Sequence, residues 1–141
     1  MGLPGSGKST YLARLGVHAI SSDATRLQLV DDETDQTIHE RVFATMRYLL
    51  QQRLELGRTF TYIDATNLTR RDRLPFIEVA RQYGADAEAL YFDVPLAVCK
   101  ARNAARGRIV PSAALDAMAA KLEPPSADEG FTRIETVLFL P

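Results

Sequence analysis

Gly2-Leu3-Pro4-Gly5-Ser6-Gly7-Lys8-Ser9 fits the pattern G-x-x-x-x-G-K-[ST], and its reading decides the fold. Gly2, Gly5 and Gly7 lack a Cβ, so the backbone can take positive φ and turn its N–H groups inward around an anion. Glycine-rich turns are common, and most are only turns. Here Lys8 and Ser9 follow in register, and an apolar helical run of Tyr11, Leu12 and Leu15 comes next. A helix starting near Gly7 aims the positive end of its dipole at the same anion. The stretch therefore reads as a P-loop, with Gly2, Pro4, Gly5, Ser6, Gly7, Lys8, Ser9 and Thr10 around a nucleoside triphosphate. Lys8 is expected on the β- and γ-phosphate oxygens, and the Ser9 hydroxyl on Mg²⁺.

A P-loop ordinarily joins a buried strand to a helix, and only Met1 stands before Gly2. The first strand, normally central in its sheet, is expected to be missing. Either the chain is shortened at its N-terminus, with Met1 ending the lost strand, or another element fills that position. Shortening is the expectation we carry forward.

The 141 residues suffice for one domain with a substantial core, and the apolar and charged fractions, 46% and 25%, are ordinary for a globular protein. A net charge of −1 provides no global field toward nucleic acid or membrane. No apolar run is long enough to span a bilayer, and no signal peptide is visible. The single Cys99 excludes an intrachain disulfide and fits a reducing cytoplasm. It lies in an apolar helical stretch and reads as a buried small hydrophobe. Lysine occurs only at Lys8, Lys100 and Lys121, the other basic residues being arginine, the better fork for phosphate where it lines a site. His18 and His39 have no partner at metal-ligand spacing and read as structural.

Downstream, strands and helices alternate. Residues 17–22 read as a strand ending at Asp23, and 35–56 as a long helix stopped by Gly57. Residues 59–63 form a strand ending in Asp64, and Thr69 caps a helix to about Tyr83, with Pro75 inside it as a kink or a later start. A strand over 87–94 is followed by a helix from Pro95 to Arg106, another from Pro111 to about Leu122, and a last strand over 131–140. This pattern predicts an α/β fold: a doubly wound parallel sheet with helices on both faces and a short helical lid at about 102–122, in one domain covering 1–141. In such sheets the ligand sits beyond the carboxyl ends of the strands, where Asp23 and Asp64 fall.

Phosphoryl transfer needs phosphate positioning, a metal, a group to orient the nucleophile and cations on the developing charge. Asp23 is the candidate to orient and deprotonate an acceptor hydroxyl; its alternative role is N-cap of a helix around 24–29. Arg26 shares a helical face with Asp23 and either binds an acceptor phosphate or pairs with a carboxylate. Asp64 either holds Mg²⁺ through a water, braces Arg26, or simply turns the chain at Asp64-Ala65-Thr66-Asn67. Arg102 and Arg106, four apart, project from one helical face with Arg108 beyond them. They match a lid that brings cations over a triphosphate, or else a solvated basic helix end. Arg70, Arg71 and Arg73 form a second basic cluster, read mainly as an exposed helix start and otherwise as a contact to a nucleic-acid backbone.

Together with the P-loop, four segments occur in the order and spacing of one known group: Ser21-Ser22-Asp23-x-x-Arg26, Asp31-Asp32-Glu33-x-Asp35-Gln36, Asp64-Ala65-Thr66-Asn67 and Cys99-x-x-Arg102-Asn103-x-x-Arg106. The chain resembles the 5′-kinase domain of bacterial and phage polynucleotide kinases, and the wider set of small AAA-type P-loop kinases. The resemblance implies Lys8 and Ser9 on ATP·Mg²⁺ and Asp23 as general base toward a 5′-hydroxyl. It implies Arg26 on the acceptor phosphate, and Arg102 and Arg106 on the donor phosphates. The expected activity is transfer of the γ-phosphate of ATP to a hydroxyl, first of all the 5′-OH of an RNA or DNA end. The alternatives are a small-molecule or tRNA-linked hydroxyl, or an ATP-binding module with little transfer activity. No phosphatase or ligase motif accompanies the kinase signature, and no protein partner can be named.

Overall fold

The computed structural model describes residues 1–106 and 110–138. It contains two parallel ladders. Strand β1 (Ala19–Ser21) pairs with β2 (Tyr62–Asp64), Ser21 standing opposite Asp64. Strand β3 (Glu88–Asp93) pairs with β4 (Arg133–Leu138), Asp93 standing opposite Leu138. Met1 and Gly2 lie between the ladders and bond to both. The Met1 amino group donates to the Leu90 carbonyl at 2.6 Å, and the Phe92 N–H donates to the Met1 carbonyl at 3.0 Å. On the other side the Gly2 N–H donates to the Thr66 carbonyl at 3.0 Å, just past the end of β2. The spatial order is therefore β1, β2, the Met1–Gly2 segment, β3, β4. That segment takes the position of the last residues of a central strand, where the sequence led us to expect a missing one.

Helices α1 (Lys8–Arg14), α2 (Ser22–Val30), α3 (His39–Glu55), α4 (Arg70–Gln82), α5 (Leu96–Ala104) and α6 (Ser112–Lys121) supply the crossovers. Two apolar clusters hold them. Val42, Met46 and Leu50 of α3 meet Phe76 of α4 beside Ala65, with Ile20 and Ile63 of β1 and β2 against them. Leu3, Leu68, Phe92, Val94 and Cys99 form the second cluster, closed by Tyr11, Leu96, Met118, Leu122 and Val137. Cys99 is fully buried there, as its apolar context predicts.

Several elements are shorter than their sequence pattern suggests, for local reasons. The expected strand over 17–22 keeps only three residues, because the Ser21 hydroxyl accepts from the Ala24 N–H and starts α2 at Ser22. The expected helix from Asp35 begins at His39 instead. Asp32 and Asp35 each turn their carboxylate back onto the backbone N–H two residues on, at Thr34 and Thr37, which holds the chain out of the helix. The strand expected over 59–63 starts only at Tyr62, after Arg53 has hydrogen-bonded the Phe60 carbonyl and the Thr61 hydroxyl. The strands expected over 87–94 and 131–140 run Glu88–Asp93 and Arg133–Leu138, residues 139–141 lying outside the described residues. Pro75 neither breaks α4 nor delays it, since a capping box between Thr69 and Asp72 fixes the start at Arg70.

Two members of the basic cluster of α4, Arg70 and Arg73, form a structural pin. Arg73 is buried and makes a two-pronged ion pair to Glu129, both bonds 2.7 Å, and its remaining amine bonds the Asn67 and Glu123 carbonyls. Arg70 binds Asp128 of the same 3₁₀ turn, Ala127–Glu129, and Ser126, the residue that caps it. Burial acts to raise the Glu129 carboxyl, but the Arg73 and Ser126 hydrogen bonds outweigh it and hold it below the usual carboxylate range. Glu129→Ala would leave the Arg73 charge buried without its partner. We expect a loss of about 3 kcal/mol in unfolding free energy, read by urea titration.

Among the described residues, no helix is long and apolar enough to cross a membrane. In the region read as a lid, α6 is anchored by fully buried Leu115 and by an ion pair from Lys100 of α5 to Asp116 at 2.7 Å. Residues 107–109, including Arg108, lie outside the described residues.

Candidate active site

The P-loop turns where the sequence requires glycine. A Cβ on Gly5 would stand 2.5 Å from the Cys99 carbonyl oxygen, and Gly5 has φ +84°. The loop therefore packs backbone against backbone on α5, a contact that any larger residue would open. Gly7, at φ +98°, is the residue from which α1 departs.

Lys8 folds back over its own loop. Its ammonium donates to the Gly2 and Leu3 carbonyls, both at 2.8 Å, and more weakly to the Ser6 hydroxyl. Burial lowers its pKa to about 8; Asp64 and Asp23 pull it back up, while Arg106 adds to the lowering. Charged residues of three of the segments singled out in the sequence, Asp23, Asp64 and Arg106, thus act on this ammonium. A phosphate there would favour the charged form, so above pH 8 binding must draw a proton from solution. At about pH 9, calorimetry in buffers of different ionisation heat should register uptake approaching one proton per nucleotide. Lys8→Arg, charged throughout, should abolish that uptake.

The metal candidates are adjacent. The Ser9 hydroxyl donates to Asp64 Oδ2 at 2.7 Å, so the α1 hydroxyl and the β2-terminal carboxylate form one oxygen pair at the loop rim. Two hard oxygen donors beside a phosphate cradle would suit Mg²⁺, with Ser9 as the candidate direct ligand and Asp64 as the candidate to reach it through a water. Of the alternatives for Asp64, bracing Arg26 is not among the hydrogen bonds of the described residues; Asp64 accepts from Ser9 instead.

Asp23 lies in the first turn of α2, next to the strand ends Ser21 and Asp64. The N-cap role that competed for it belongs to Ser21. Its side chain is 55% exposed, and Arg26, only 4% exposed, donates to it at 3.2 Å and to the Glu33 carbonyl at 3.4 Å. Among the described residues, the buried Arg26 Nε has no hydrogen-bond partner. Arg26 therefore supports Asp23 from beneath.

On the other flank, Gly5, Ser6, Gly7 and Thr10 open into a cavity of about 490 Å³ walled by Tyr11, Arg14, Phe92, Val94, Val137 and Leu138. Arg102 and Arg106 also line it, and an Arg102 amine reaches the Gly5 carbonyl at 3.4 Å. The two arginines thus face the loop. The apolar walls and Arg14 went unread in the sequence. Arg14 follows Thr10 by four residues, a spacing that places it on the loop side of α1. Tyr11 and Phe92, whose rings meet edge to face at 5.4 Å, come together only through the fold.

Residues 1–125 match the AAA domain family. The chain belongs to that family. Among solved structures it is similar to a gluconokinase from Sinorhizobium meliloti 1021, with 23% identity over 98% of this chain and 79% of that one, at a TM-score of 0.64. No curated protein matches the sequence significantly. This AAA domain therefore has the α/β P-loop kinase-like fold, with parallel strands and a nucleotide-type loop. The family match is broader than the polynucleotide kinase group that the sequence resembles.

Proposed function

We propose that this AAA domain is an ATP- and Mg²⁺-dependent kinase that transfers the γ-phosphate to a hydroxyl of a small molecule. The observation that carries the reading is the placement of Asp23: an exposed carboxylate close enough to Lys8 to act on its charge, beside the Ser9–Asp64 pair. Lys8 and the loop N–H groups hold the donor phosphates, and Arg102 and Arg106 meet the charge that develops on them. Bound Mg²⁺ neutralises phosphate charge. Asp23 accepts the proton of the acceptor hydroxyl as its oxygen bonds to phosphorus and the bond to ADP breaks, with Arg26 keeping that carboxylate in place.

For the acceptor, charge favours a small molecule over a 5′-OH polynucleotide end. The segment joining α2 and α3 carries Asp31, Asp32, Glu33 and Asp35, and it returns close enough to Asp23 for the Glu33 carbonyl to share the Arg26 amine. Arg26, the cation the resemblance assigns to an acceptor phosphate, is buried and engaged. The basic residues of α4 that offered a nucleic-acid contact include Arg73, which is held by Glu129, and Arg70, which is held by Asp128. A polyanion approaching Asp23 would meet carboxylates. The likeness to a gluconokinase is compatible with a small polyhydroxy acceptor and is a likeness of fold.

The test is ADP release from Mg·ATP against a panel of sugars, sugar acids and polyols, beside labelled transfer to 5′-OH oligonucleotides. Acceptor-dependent release with a small polyol supports the reading. Label on the oligonucleotide would restore the polynucleotide assignment, and nucleotide binding without transfer to any acceptor would favour a binding module.

A further inference from the structure

We propose that Asn103 is a positioning residue for the donor side of the site, acting through Arg106. This rests on the nucleotide-binding half of the reading above. Asn103, in the last turn of α5, lies between cavity-lining Arg102 on that helix and Arg106 just beyond its end, and is 4% exposed. Its side-chain amide donates to the Val110 carbonyl at 2.7 Å, and its side-chain oxygen accepts from the Val110 N–H at 3.0 Å. Its own carbonyl accepts from the Arg106 N–H at 3.2 Å.

Asn103 thus bonds on both sides of Arg106, to the Arg106 N–H through its main chain and to Val110 through its side chain. The pairing with Val110 copies the two-way exchange of neighbouring strands, where none exists, just before α6 begins at Ser112. α6 cannot supply this restraint from its own start, because its N-cap, Pro111, makes no side-chain cap. A side-chain amide presents a donor and an acceptor side by side in one fixed plane, as both Val110 groups require. The neighbouring Arg102 side chain reaches the Gly5 carbonyl across the P-loop. Asn103 therefore governs where Arg106 stands beside Arg102 at the loop.

The experiment is a double-mutant cycle on the full chain, read as affinity for a non-hydrolysable Mg·ATP analogue by calorimetry. Asn103→Ala should weaken binding about tenfold or more, the scale on which misplaced contacts act. In an Arg106→Ala background the same substitution should change affinity by less than about threefold, because the group it positions is gone. An equal loss in both backgrounds would mean a general structural role and overturn the proposal. So would unchanged affinity in Asn103→Ala, or normal binding in Arg106→Ala alone. If Asn103→Ala shows no melting transition, Asn103→Asp replaces it: it keeps the volume and the bond from the Val110 N–H but loses the one to the Val110 carbonyl. Because the readout is binding, failure to find any phosphoryl acceptor would sink the kinase assignment and leave this cycle intact.

Discussion

Lys8→Ala is expected to lower turnover about a hundred- to a thousandfold, the loss that follows removal of one preorganised donor from a transferring group. The ammonium is the only lysine in the loop, and two backbone carbonyls at 2.8 Å hold it there. Its removal has two consequences of opposite sign. The Gly2 and Leu3 carbonyls lose a donor, which loosens the loop; the protein is also freed of a desolvated charge whose pKa is lowered to about 8. Unfolding stability should therefore change far less than activity. Steady-state kinetics with a melting curve on the same sample separates the two, and wild-type turnover in this variant would reject the P-loop assignment.

The second large effect is on the acceptor side. Asp23→Asn keeps the shape of the side chain and removes its ability to take a proton, so turnover should fall about a hundred- to ten-thousandfold. Affinity for Mg·ATP should be nearly unchanged, since the proposed phosphate contacts come from the loop and from Arg102 and Arg106. The asparagine oxygen can still accept from Arg26, whose Nε already lacks a partner, so the helix should persist. A collapse of nucleotide affinity in this variant would instead assign Asp23 to the metal or to the fold.

The P-loop was legible because its chemistry is local: glycines, lysine and serine at fixed spacing dictate the turn, whatever surrounds them. The parallel strands were legible for the same reason, as β-branched and aromatic runs between helices. What escaped was set by side chains that compete with backbone. Asp32 and Asp35 read as the approach to a helix, yet their carboxylates hold the chain in turns and delay α3 to His39. Ser21 rather than Asp23 begins α2, a choice between two good caps that sequence could not make. Arg73 looked like an exposed charge until Glu129, 56 positions on, was brought to it. The cavity wall of Phe92, Val94, Val137 and Leu138 depends on the pairing of β3 with β4 and has no signature along the chain.

The same three hydrogen bonds that place Met1 and Gly2 give the loop a second office. The seam between the two ladders runs directly into the phosphate cradle, through residues contiguous with Lys8 and Ser9. Whatever grips the cradle also clamps the seam. Ligand occupancy then becomes cohesion of the whole sheet, growing as the logarithm of nucleotide concentration over its dissociation constant. A nucleotide bound in the cradle would, by this arrangement, help hold the sheet together.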